Sequence, residues 1–136
     1  MANGTIAFDT LTTSDQVNTS TEKSIDTSYI FNGVAKHWLL MNGTGTIAVT
    51  DSFNNSSITD DATGRYTITI NNDMSSAAYS VTTAGADDED DATGNARQGP
   101  SAANRAAGSF NINCGSNDTT LDDWESVMTH LMGDLA

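Results

Sequence analysis

Arg65-Tyr66-Thr67-Ile68-Thr69-Ile70 alternates without a break, with Tyr66, Ile68 and Ile70 on one side and Thr67 and Thr69 on the other. Aromatic and β-branched residues at a spacing of two mark a strand that gives one face to a core and the other to water. Asp60-Asp61-Ala62-Thr63-Gly64 turns the chain before it, and Asn71-Asn72-Asp73 ends it. Met74 beyond that break reads as a peg into the core. Downstream, Ala77 to Thr83 reads as a strand with Tyr79 and Val81 inward, and Phe110-Asn111-Ile112-Asn113-Cys114 as the last strand.

Upstream, Thr5 to Leu11 alternates and predicts a first strand, followed by a polar loop or extended arm over residues 12–24. Ser28-Tyr29-Ile30-Phe31 predicts a strand, and Asn32-Gly33 a two-residue hairpin turn, because both residues tolerate positive φ. Val34 to Met41 would then be the returning strand, apolar on both faces at its far end, with Trp38 and Leu40 opposite Leu39 and Met41. Asn42-Gly43-Thr44-Gly45 turns into Thr46-Ile47-Ala48-Val49, completing a meander. Asp51 to Ile58 reads as a loop pegged by Phe53 and Ile58. Residues 84–108 hold no apolar side chain larger than Ala and read as a long loop. The motif Asp90-Asp91-Ala92-Thr93-Gly94 within it repeats the turn at Asp60–Gly64.

The C-terminal segment changes period. Leu121, Trp124, Met128, Leu131 and Leu135 are spaced 3, 4, 3 and 4, the seam of an amphipathic helix. Thr119 or Thr120 would cap it, with Asp122 and Asp123 in its first turn. These five residues are the candidates for an oligomer interface. The alternative is a helix lying on its own sheet.

Composition bounds the function. The chain has 136 residues, which fits one domain, and its hydrophobic fraction is 37%, enough for a thin core that copies of the chain would complete. Eighteen acidic residues against five basic give a net charge of −13. Lys23, Lys36, Arg65, Arg97 and Arg105 are scattered, so no basic patch for phosphates and no nucleic-acid binding is expected, and no apolar run approaches the roughly 20 residues of a membrane span, so no membrane insertion is expected. Met1-Ala2-Asn3-Gly4-Thr5 lacks the basic-then-apolar pattern of a secretory signal. Cys114 is the single cysteine and reads as a small buried apolar residue.

Motifs for catalysis are missing from the sequence, so no catalytic residue and no bound cofactor is assigned and the chain reads as a non-enzyme. His37 falls in a strand and reads as structural; His130 falls near the end of the expected helix, facing its dipole. Trp38 and Trp124 read as core or subunit contacts. The run Asp87-Asp88-Glu89-Asp90-Asp91 offers oxygen ligands of the kind Ca²⁺ takes, which makes Asp87, Asp88, Asp90 and Asp91 weak metal candidates. It lacks the Asp-x-Asp-x-Asp-Gly spacing of a calcium loop, and a solvated acidic loop is the favoured reading.

Asn32-Gly33-Val34-Ala35-Lys36-His37-Trp38, Asn42-Gly43-Thr44-Gly45-Thr46, Asp51 to Asp60, and Asp61-Ala62-Thr63-Gly64-Arg65-Tyr66-Thr67-Ile68 with Met74 and Ala78-Tyr79 together resemble a domain of bacteriophage tail-fibre proteins, especially of marine and cyanobacterial phages. The likeness spans roughly residues 28 to 82. It implies a β-rich, commonly trimeric virion module implicated in host-surface contact. The chain has no long shaft before this region and departs from the family in its expected terminal helix, so capsid decoration remains an alternative, as does glycan binding or cleavage. The expectation is therefore a mainly β protein: an antiparallel β-sandwich-like domain with one C-terminal α-helix. Within one virion domain, 1–27 would be strand and polar arm, 28–83 the meander core, 84–108 the acidic loop, and 109–136 the last strand and helix. Its partners would be copies of itself, other virion proteins and a host receptor or glycan.

Overall fold

A computed structural model describes residues 10–12, 24–87, 100–115 and 120–136. The chain divides into two compact units, 1–34 and 35–136. In the first, β1 (Thr10–Thr12) pairs antiparallel with β2 (Ser24–Asp26), and α1 (Thr27–Gly33) follows directly. The strand expected at Ser28–Phe31 and the hairpin at Asn32-Gly33 are thus replaced by a short helix. Asp26 is the reason: its carboxylate caps the helix by accepting from the Ser28 amide at 2.8 Å, and hydrogen bonding from the Ser28 hydroxyl, then from this amide, holds its pKa below the usual value. The Asn32 side chain turns back onto the Ser28 carbonyl at 2.8 Å, and Gly33 does not take the positive φ that a two-residue hairpin turn demands. Tyr29 and Phe31, alternate positions of that expected strand, are 71% and 64% exposed.

The second unit is built from two four-stranded antiparallel sheets. Sheet I runs in the order β4 (Ala48–Phe53), β3 (His37–Asn42), β10 (Ser126–Met132), β7 (Ser80–Ala86). Sheet II runs β5 (Asn55–Ala62), β6 (Arg65–Ile70), β9 (Ser109–Asn113), β8 (Ser101–Ala106). The arrangement is sandwich-like, and β10 lies between β3 and β7 in sheet I. No helix among the described residues is long and apolar enough to cross a membrane.

The four central strands supply most of the core. Leu39 and Met41 of β3, Val127 and Leu131 of β10, Tyr66, Ile68 and Ile70 of β6, and Phe110 and Ile112 of β9 are all buried. Met74, Tyr79, Cys114 and Trp124 complete it from the connections. Phe110 meets the His37 ring edge-on at 5.7 Å and the Tyr79 ring at 6.5 Å, joining the two sheets through aromatic contacts. The Tyr79 hydroxyl lies 2.9 Å from the Ala106 carbonyl and 3.0 Å from that of Ser109, which anchors the β8–β9 turn.

The C-terminal helix is not formed; residues 126–132 are the central strand β10. Val127, Thr129 and Leu131 face inward while Met128, His130 and Met132 face out, a spacing of two that the 3–4 spacing of the large apolar residues conceals. Pairing with β3 on one side and β7 on the other satisfies both backbone edges, so tertiary pairing overrides the helical pattern. Three further expectations change. Asp51–Ile58 is not a loop but the end of β4 and the start of β5, where Phe53 is 54% exposed and Ile58 is packed against the core. The expected loop 84–108 contains β8, held by its ladder to β9. On β3 the core face is His37, Leu39 and Met41, with Trp38 and Leu40 half-buried on the outside. Met74 and Tyr79 are buried as expected.

A single residue, Asn54, carries the chain from β4 at the edge of sheet I to β5 at the edge of sheet II. Its φ is +58°, a left-handed conformation that Asn tolerates better than most side chains. Its amide donates to the carbonyls of Lys36 (2.9 Å) and Asn72 (3.1 Å), and its oxygen accepts from the Asn72 backbone amide (2.7 Å). One side chain thereby ties the start of β3 to the end of β6. Asn54→Ala is expected to cost about 2–4 kcal/mol, since it combines left-handed strain with lost hydrogen bonds, while Asn54→Gly costs less; urea denaturation of both variants checks the order.

The β10 assignment has its own test. Leu131→Ala should cost about 2–5 kcal/mol, whereas Met128→Ala should stay within about 0.5 kcal/mol in the monomer. Equal, large losses at both positions would restore the helical seam.

Candidate functional site

Groups capable of acid–base or nucleophilic work in the interior are held by packing. Tyr66 rises from β6 to the Asp123 carboxylate, with its hydroxyl 2.8 Å from Oδ1 and 3.1 Å from the Gly43 carbonyl. Its one proton goes to the shorter, charge-assisted contact. Asp123 also accepts from the Gly64 amide at 2.6 Å. Burial, reinforced by the Asp123 carboxylate, raises the Tyr66 pKa far above its usual value, so the phenol remains a donor. Burial likewise pushes the neighbouring Cys114 thiol up to about 12, which keeps it protonated at neutral pH. Gly64 is required here: its φ is +64°, and a Cβ would lie 2.5 Å from the Cys114 carbonyl oxygen and 2.7 Å from that of Asp122. This constellation is a clamp between the β5–β6 turn and the segment leading into β10.

The outer faces of the two sheets differ sharply. On sheet I, the register sets Phe53 beside Trp38, Trp38 beside His130, and Leu40 beside Met128. Phe53, Met128 and Met132 are exposed, and Trp38 and Leu40 are half-buried. The result is an apolar band crossing three strands, with Asp51 at its edge and His130 within it.

On sheet II the outward positions are polar. Asp61, Arg65, Asn104, Asn111 and Asn113 line a half-open cleft of about 380 Å³ that draws on all four strands. Arg65, Asn111 and Asn113 stand at the outward positions of β6 and β9, where Arg65 pairs with Asn113. Asp61 and Asn104 arrive differently. Each lies at a register irregularity, in β5 between Asp60 and Ala62 and in β8 between Ala103 and Ala106. Bulges of this kind re-aim side chains, and Asn104 adopts a φ of +46° to do so. A relay fixes the floor: the Asn111 amide donates to Thr67 Oγ1 at 2.6 Å, and Thr67 donates to Asp61 Oδ2 at 2.6 Å. The side chains of Arg65, Asn104 and Asn113 make no hydrogen bond or ion pair among the described residues.

Of the residues singled out from sequence, the five of the expected seam do not form one surface. Trp124 and Leu131 are in the core, Met128 and Leu135 are exposed, and Leu121 is half-buried beside Gly115. Only Met128 joins the apolar band of sheet I. Asp87 receives the Glu125 amide on its carbonyl oxygen at 3.3 Å. Asp88, Asp90 and Asp91 lie outside the described residues, and among those described no group of three or more acidic, His or Cys side chains is placed to hold a metal ion. His130, expected at a helix end, instead stands on the outer face of β10.

The cleft has no counterpart among the residues singled out from sequence. Its signal in the sequence is the polar phase of strands recognised for their apolar phase: Arg65 in β6, and Asn111 and Asn113 in β9. Comparison with protein-family models, with curated proteins and with solved structures finds no match.

His37 supplies a pH dependence. It is fully buried at the start of β3, its Nε2 is 3.4 Å from Asn55 Oδ1, and its Nδ1 has no partner among the described residues. Burial lowers its pKa; the Asn55 contact opposes this and the charge of His130 adds to it. An unfolded histidine titrates near 6.5, so the unfolded chain binds the proton first. Stability from this group is complete above about pH 6.5 and declines as pH falls toward the lower folded value. The urea midpoint should therefore drop between about pH 7.5 and 5, and His37→Phe should flatten that part of the slope; an unchanged slope in the variant would assign it elsewhere.

Proposed function

We propose that this chain is a non-enzymatic structural subunit of a bacteriophage particle, a tail-fibre or appendage component that self-associates and contacts the host surface. The observation that carries this reading is the apolar band on the outer face of sheet I, formed by Phe53, Trp38, Leu40, Met128 and Met132. Apolar surface spread contiguously over a sheet face gains free energy when it is covered. Association offsets this chain's modest supply of apolar residues, 37% of the sequence. A second copy is the occupant because the face is nearly free of charge. With a net charge of −13, like chains repel one another, least where they meet across a face that carries little charge. The tail-fibre resemblance over residues 28 to 82 supports a trimer and a place in the virion, and the antiparallel sandwich-like fold is compatible with such a module.

Light scattering coupled to size-exclusion chromatography tests it on the whole chain. The expected mass is three times 14.3 kDa. Phe53→Ser combined with Met128→Ser should yield a folded monomer, because both side chains are exposed within one subunit. A wild-type protein that stays monomeric at submillimolar concentration, or a double variant that remains fully associated, contradicts the reading.

A further inference from the structure

We propose that the cleft on the outer face of sheet II, lined by Asp61, Arg65, Asn104, Asn111 and Asn113, is a binding site for a neutral saccharide, one hexopyranose ring of a surface glycan. This deepens the surface-contact reading given above and rests on it for its setting; the residues lie on the sheet opposite the association face.

Size comes first. The cleft measures about 380 Å³, toward the small end of the roughly 300–1,000 Å³ that ligand sites occupy. A site of that size fits a ring rather than a long chain.

The lining then selects the chemistry. Three carboxamides present both donors and acceptors, Arg65 presents donors only, and the Asp61 carboxylate presents acceptors only. A sugar hydroxyl donates and accepts at once, so adjacent hydroxyls on a ring match paired groups of both kinds. An apolar ligand would leave these polar groups desolvated and unpaired, at a cost of roughly 1–3 kcal/mol each.

Charge excludes the simpler ions. A free anion would meet the Asp61 carboxylate as well as the Arg65 guanidinium, on a chain of net charge −13. A metal cation would meet Arg65 with Asp61 as the only carboxylate in the lining. A neutral polyol uses both groups and opposes neither.

The site is also pre-organised. Asn111 and Asp61 are oriented by the relay through Thr67, with 2.6 Å at each step. Asn104 is placed by its own left-handed backbone at a bulge, and Arg65 and Asn113 stand on paired strands. Groups held in place before binding lose little entropy when the ligand arrives. Arg65, Asn104 and Asn113 are uncommitted among the described residues and so available to it.

Backbone-amide NMR titration of the whole chain tests the inference with methyl α-D-glucopyranoside, methyl α-D-mannopyranoside, methyl β-D-galactopyranoside and N-acetylglucosamine, each taken to tens of millimolar. At least one should give saturable shifts centred on Arg65, Asn104, Asn111 and Asn113, with millimolar affinity. Arg65→Ala and Asn113→Ala should each weaken binding about tenfold, as expected for loss of one hydrogen bond to a charged or amide group. Both sites reach the surface, and the dispersion of the amide spectrum reports whether each variant stays folded. Thr82→Ala, on the exposed side of sheet I, should leave the titration unchanged.

No saturable shift with any of the four sugars overturns the proposal. So does saturation by sodium sulfate or calcium chloride alone at the same amides, which would make the cleft an ion site. Saturable shifts centred outside the cleft overturn it too. The mass measurement reads the opposite face, so failure of the sugar site and failure of the assembly reading are separable results.

Discussion

The burial of the inward side chains of β3, β10, β6 and β9 between two sheets is the contact on which the sandwich depends. The largest of them, Tyr66 and Phe110, are at most 1% exposed, as is Trp124 from the segment leading into β10, and smaller residues there would leave a void. The edge strands β4, β5 and β8 add little apolar surface. They matter by completing hydrogen-bond ladders and by routing the chain between sheets. The crossover at Asn54 works with this packing: it brings β4 and β5 into opposite sheets within one residue, in a left-handed conformation that the side chain holds by bonding to Lys36 and Asn72.

Polar groups enter this thin core both bonded and unbonded. The Tyr66–Asp123 pair carries a charge to the edge of the core, where the Gly64 amide and the tyrosine proton satisfy it. His37, Trp124, Ser126 and Thr129 each keep one buried polar atom without a protein partner among the described residues. His37 and Thr129 lie on the inner faces of β3 and β10 that do most of the packing, so part of the cost of these unpartnered atoms falls there. The Tyr79 hydroxyl, anchored to the carbonyls of the β8–β9 turn, shows the opposite solution.

The two outer faces separate two kinds of surface. Sheet I turns Trp38, Leu40, Phe53, Met128 and Met132 outward, and sheet II turns threonines, asparagines and Arg65 outward. An antiparallel sheet places alternate residues on opposite sides, so each strand specifies core and surface independently. One sandwich can therefore carry an association face and a polar recognition face without either compromising the core. Bulges at Asp61 and Asn104 then turn a flat polar face into a concave one.

Local alternation along the chain specified the class of fold and the strands that carry it. Tyr66, Ile68 and Ile70, like Phe110 and Ile112, could face only a core, and that is where they lie. Three matters were decided by tertiary structure. Residues 121–135 carry a helical spacing and a strand spacing at once, and pairing with β3 and β7 selected the strand. β3 is apolar on both faces, so only packing against sheet II could choose Leu39 and Met41 over Trp38 and Leu40. The edge strands β5 and β8 are polar nearly throughout and owe their conformation to ladders with β6 and β9. The cleft shares this origin, since Asp61, Arg65, Asn104, Asn111 and Asn113 come from four strands. Periodicity along a chain reports which side of a strand is buried. Which strands become neighbours, and what they enclose together, depends on contacts between residues far apart in sequence.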